Sequence, residues 1–131
     1  GGGMEMALLC DVCVAADDAR FALPETGLGM VPGFAGTQTL PRRAGQARAL
    51  DLVLTGRSLD ARAAAAAGLV HRVVPASRLE ASALALARRL AALDPARVRA
   101  ARRCVRAAHD LDLRAGIALE QRLALGLERR R

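Results

Sequence analysis

The chain has 131 residues, 53% of them hydrophobic, which suits a folded unit and excludes a disordered one. No uninterrupted apolar run reaches about 18 residues, so the sequence supports no helical membrane span. The formal net charge is +7 and every strongly basic residue is arginine, yet aromatic residues make up only 2%. Stacking platforms for bases are therefore almost absent, and the charge reads as compositional bias toward Ala and Arg rather than as a nucleic-acid interface.

The opening residues are Gly1-Gly2-Gly3-Met4-Glu5-Met6-Ala7-Leu8-Leu9-Cys10-Asp11. Glycines can lay bare backbone against a ligand because no Cβ blocks the approach. The apolar run behind them predicts a short helix from Gly3 to about Cys10, apolar all round and therefore interior. The free N–H groups of such a helix end attract negative charge, and Glu5 falls in its first turn. The chain opens directly on this stretch without an initiator Met, so it reads as an N-terminally truncated fragment.

Val12 to Ala16 predicts a buried strand bounded by Asp11 and by Asp17-Asp18. Phe21 to Leu23 is a second short extended piece ending at Pro24, which puts Glu25 on a fixed, non-helical segment. From Glu25 to Gly36, four glycines and Pro32 write a long loop, and such loops inside compact domains are more often functional than idle. Thr37 to Arg43 predicts a short helix whose end Pro41 blurs, and Gln46 to about Leu54 a better one closed by Thr55-Gly56. Asp60 can cap a helix beginning at Ala61, with Gly68 as its stop. Leu69 to Val74 is apolar and β-branched around His71-Arg72, a strand or extended arm.

Long helices follow. One starts near Ser77 and reaches about Leu93, with Leu79, Ala83, Leu86, Leu90 and Leu93 on one stripe. Asp94 caps and Pro95 opens the next, striped by Val98, Ala101, Val105 and Ala108. Asp112 opens a third, with Leu119, Leu123 and Leu127 four apart. The texture changes near residue 75, dividing the chain into a mixed α/β part, 1–75, and a helical part, 76–131.

Chemistry narrows on a few residues. Cys10-x-x-Cys13 invites a metal or redox reading, but zinc takes about four ligands and no second pair exists, so no metal site is expected. The odd cysteine count, with Cys104, is no disulfide framework and fits a reducing intracellular setting. His71 and His109 read as structural. Ser58, Ser77 and Ser82 lack a nucleophile-elbow setting, and no dinucleotide or P-loop motif is present. What remains is a bare helix N-terminus with two carboxylates, Glu5 and Glu25, a kit for acid–base chemistry beside an activated carbonyl.

The opening motif, then Pro24-Glu25-Thr26-Gly27-Leu28-Gly29 and Val31-Pro32-Gly33-Phe34-Ala35-Gly36-Thr37-Gln38, resembles the enoyl-CoA hydratase/isomerase (crotonase) family. Leu54-Thr55-Gly56, Ala67-Gly68-Leu69-Val70 and Val73-Val74-Pro75 continue the match in order, over nearly the whole chain. The resemblance implies an α/β fold: 1–75 as the C-terminal part of a spiral of ββα units, and 76–131 as a helical region that packs into trimers, often paired as hexamers. It implies an acyl-CoA substrate, no metal or redox cofactor, and a cytoplasmic enzyme, or a mitochondrial-matrix one in a eukaryote. By motif position Gly2 gives one amide of the oxyanion hole, and Gly33 lines the water site. Glu5 activates water for C3 and Glu25 protonates C2; the second oxyanion amide belongs to a segment upstream of Gly1. Retaining both glutamates favours a hydratase over a same-fold isomerase, and the isolated fragment is expected to be weak or inactive. Ala22, Ala35 and Thr39 depart from the family pattern and leave acyl preference open. A scaffold reused for RNA binding or assembly is the reading from another class.

Overall fold

The computed structural model describes residues 1–128; the last three residues of the predicted helical part lie outside the described residues. The elements are short in the first two thirds and long at the end. They run α1 (Gly2–Leu9), β1 (Val14–Ala16), β2 (Arg20–Phe21), a 3-10 turn (Glu25–Leu28), α2 (Gly36–Ala44) and α3 (Gln46–Thr55). Then come β3 (Leu59–Asp60), α4 (Ala61–Ala66), β4 (Arg72–Val74), a 3-10 turn (Ala76–Arg78), α5 (Leu79–Ala91), α6 (Pro95–Ala107) and α7 (Leu113–Glu128).

β1 and β4 pair in parallel, Ala15 opposite Val73, and β2 pairs antiparallel with β3, Phe21 opposite Leu59. A parallel pair needs a long crossover, and here it carries three helices. The pairing of β1 with β4 extends one step further: His71 N–H donates to the Cys13 carbonyl at 2.9 Å, and Cys13 N–H donates to His71 Nδ1 at 3.0 Å. Accepting at Nδ1 puts the imidazole proton on Nε2. His71 thus works as a strand clamp.

Contacts cluster into two units, Gly1–Leu84 and a second beginning at Ala85. The first holds a core of leucines and alanines: Leu8, Leu23, Leu40, Leu52, Leu59 and Leu69 are buried with Ala49, Ala61, Ala64 and Ala67. Small alanines on α4 let it lie close to the strands, and Asp60 caps it by accepting from Ala63 N–H at 2.7 Å. In the second unit α6 and α7 pack on each other.

Two expectations need correction, and one holds. α1 is not apolar on all sides toward an interior: Met4, Glu5 and Leu8 are buried, whereas Met6 and Leu9 are exposed among the described residues, because two turns at 3.6 residues per turn turn only one stripe inward. Glu25 does not sit on non-helical backbone but opens a 3-10 turn, which Gly29 closes in the left-handed conformation at φ 74°. α2 matches the expected Thr37–Arg43 helix to within one residue at each end, with Pro41 inside it, and Gly45 N–H closes on the Pro41 carbonyl at 2.9 Å.

Candidate active site

α1 begins on glycine. Gly1 caps it, Gly2 and Gly3 are its first residues, and the N–H groups of Met4 and Glu5 both bond the Gly1 carbonyl, at 2.8 and 3.2 Å. A helix leaves its first amides without intrahelical partners, so Gly2 and Gly3 present theirs outward. Both are exposed.

Glu5, one turn in, is only 1% exposed and is the one buried charged residue among those described. Its side chain reaches the loop before α2, where Oε1 accepts from Phe34 N–H at 2.9 Å and from Gly36 N–H at 2.8 Å. Those amides flank Ala35, whose φ of 72° is the one positive value outside glycine among the described residues. Two N–H groups converging on one oxygen across a left-handed residue form a small anion nest. Gly36 has to be glycine: a Cβ there would stand 2.7 Å from Glu5 Oε1 and 3.0 Å from Cγ. Both bonds end on Oε1, which fixes the carboxylate and leaves Oε2 for other work.

Glu25 approaches the same helix from the other side. Its side chain is 13% exposed, Oε1 lies 3.6 Å from the Gly1 nitrogen, and a Cβ on Gly1 would meet Oε1 at 3.5 Å. Oε2 is the one buried side-chain polar atom without a partner among the described residues. Native interiors rarely leave such an atom unpaired, so an orphan carboxylate oxygen points to a group that binds there. Glu5 therefore lies in the first turn of α1 and Glu25 beside its cap.

Gly2 and Gly33 fare differently. Gly2 lies in that turn, and a Cβ on it would come within 4.0 Å of Phe34 Cδ2. Gly33 is exposed one residue before Phe34, and its nearest neighbour for a Cβ is the Val31 carbonyl oxygen at 4.0 Å. Gly33 is thus close in sequence to the nest without being the glycine that shapes it; Gly36 is. The motif reading passed over Gly36 because its role comes from a contact with Glu5 across 31 positions of chain.

The far end of α1 is also tied down. An Arg43 Nη2 N–H donates to the Cys10 carbonyl, and burial pushes the Cys13 thiol up, with the Arg43 charge pulling it the other way. Among the described residues no group of three His, Cys, Asp or Glu side chains could hold a metal ion. An apolar groove of about 350 Å³ between α2 and α3, lined by Thr37, Pro41, Gln46, Ala49, Leu50 and Val53, contains none of the four predicted residues.

Comparison with known proteins shows what the whole chain is similar to. Residues 1–128 match the family profile described as enoyl-CoA hydratase/isomerase. A Mycobacterium bovis relative named a probable enoyl-CoA hydratase is 46% identical over 123 residues, covering 94% of this chain and 48% of the relative. The 2,3-dehydroadipyl-CoA hydratase of Escherichia coli K12 is 45% identical, again over 94% of this chain and 48% of its own length. Among solved structures, the Bacillus anthracis enoyl-CoA hydratase superposes with a TM-score of 0.94 at 40% identity, over 98% of this chain and 50% of that one. The chain spans about half the length of the curated relatives it matches.

Proposed function

Since this chain belongs to the enoyl-CoA hydratase/isomerase family, we propose that it is the part of a hydro-lyase that adds water across the 2,3-double bond of a 2-enoyl-CoA thioester. The observation that carries the reading is Glu5 in the first turn of a glycine-capped helix, its carboxylate locked by two amides, with Glu25 3.6 Å from the nitrogen of that helix's cap and bearing an orphan oxygen. Sequence and structural relatives named as hydratases support the same reaction.

In this reading the thioester carbonyl oxygen sits on the Gly2 N–H, and a second amide comes from sequence outside this chain. Glu5, oriented through Oε1, uses Oε2 to take a proton from water as its oxygen bonds to C3. The π electrons move toward the carbonyl, and the enolate oxygen meets the Gly2 amide at the positive end of α1. Glu25 then gives a proton to C2. One proton is taken and one given, so a single water is consumed and no redox equivalent is needed. Two carboxylates and an amide suffice for this chemistry without a metal or redox cofactor, CoA being part of the substrate. Gly33 contributes by letting the loop pass beside the water.

We further read 1–75 as the catalytic remnant of the spiral core and 76–131 as the surface for self-association as a trimer or hexamer. Support comes from the second unit, where Leu119 is the single buried residue among those described from Ala85 on. The three free cysteines suit a cytoplasmic or mitochondrial-matrix setting.

The test is direct. The protein in its natural full-length context should hydrate a 2-enoyl-CoA, and the double variant Glu5→Gln with Glu25→Gln should lose several orders of magnitude in kcat. Retained hydration in that variant contradicts the assignment. Supplying a 3-enoyl-CoA separates an isomerase, which would migrate the double bond.

A further inference from the structure

Phe34 is one of two phenylalanines in the chain, and its ring is 69% exposed. An aromatic side chain offers about 150–250 Å² of apolar surface, so leaving two thirds of it uncovered is unfavourable unless something else covers it. The main chain at Phe34 is held in place. Phe34 N–H is bonded to Glu5 Oε1 at 2.9 Å, and the left-handed turn at Ala35 follows directly. That bond anchors the residue's main chain, and the ring's Cδ2 lies 4.0 Å from where a Cβ on Gly2 would be.

Resting on the reading of Gly2 as the carbonyl-binding amide, we propose that Phe34 is a specificity-determining residue that packs against C2 of the bound enoyl group and rejects substituents there. The geometry leads to C2 rather than to the far end of the acyl chain. A carbonyl oxygen on the Gly2 N–H lies about 3 Å from that nitrogen, and C2 is the next atom but one from the oxygen. A ring in van der Waals reach of Gly2 therefore flanks the start of the acyl group. A flat, unbranched enoyl unit slides along the ring face and covers its exposed surface. A methyl on C2 runs into it.

The experiment compares kcat/KM for (E)-2-butenoyl-CoA and its 2-methyl derivative in the full-length protein, in Phe34→Ala and in Phe34→Met. Because the ring is exposed and the bond to Glu5 is made by the backbone, the variants keep the nest. Phe34→Ala should shift the ratio toward the methylated substrate by about tenfold or more, the scale on which a hydrophobic site discriminates one carbon. Phe34→Met, similar in reach, should shift it less. A ratio unchanged within about twofold, or equal losses on both substrates, overturns the proposal while leaving hydration in place. If the unsubstituted protein hydrates neither thioester, the hydratase reading falls first and this inference with it.

Discussion

Ala35 holds a left-handed backbone that costs an L-residue about 1–2 kcal/mol, and it does so between the two amides that grip Glu5. Replacing it with glycine relieves that strain but loosens the unfolded chain by about 0.4–1 kcal/mol. The strain is the larger quantity, so Ala35→Gly should raise thermal stability by a fraction of a kcal/mol up to about 1 kcal/mol, read as a small increase in Tm. Gly36→Ala goes the other way. Its Cβ would stand 2.7 Å from a carboxylate oxygen that has no room to retreat, since Glu5 is buried. Activity should fall by about 10²-fold or more, measured as kcat for hydration, with Glu5 displaced in a crystal structure of the variant. Glu5 and Glu25 could be singled out in the sequence because residue type and motif order carried them. Gly36 could not, since its requirement lies in a steric contact that forms only once α1 and α2 pack.

The element scale shows what local chemistry settles and what neighbours decide. Asp60, Asp94 and Asp112 each accept a backbone N–H at a helix start, at 2.7, 2.8 and 2.8 Å, and each could be placed from its sequence position before an apolar run. Asp60→Ala should cost about 1 kcal/mol, visible in a chemical denaturation midpoint. The face of α6 is a different matter. Of the expected stripe Val98, Ala101, Val105 and Ala108, only Val98 is half-buried and Val105 is 73% exposed, while Ala96, Ala100, Cys104 and Ala107 are half-buried as well. α6 carries apolar residues on more than one side, so periodicity alone does not say which faces inward; α7 does. Near the end of α3, the Arg57 hydrogen bond lowers the Asp51 carboxyl below its usual value. A depressed carboxylate contributes stability above its unfolded pKa and loses it as pH falls through the folded value. Acid titration should therefore show a small loss that Asp51→Asn removes, and salt should shrink it, because both side chains reach solvent.

For the whole molecule, the contrast between the two units governs behaviour. The first has a leucine core with Leu23, Leu40 and Leu52 at or below 1% exposure. In the second, Leu113, Val105 and Leu125 are all more than half exposed. A helix pair with so little buried surface is marginally stable by itself. The isolated chain at low concentration should accordingly unfold over a broad range rather than in a sharp two-state transition, and a sharp one would contradict the account. The helices were legible from caps and stripes, whereas the parallel β1–β4 pairing depends on contacts 58 positions apart in sequence and left no local mark. The most direct test of the central claim is a crystal structure of the full-length protein with a 2-enoyl thioester bound. One water within about 2.6–3.2 Å of both the Glu5 and Glu25 carboxylates, facing C3, is the predicted result. Carboxylates too far apart to share a water would contradict it.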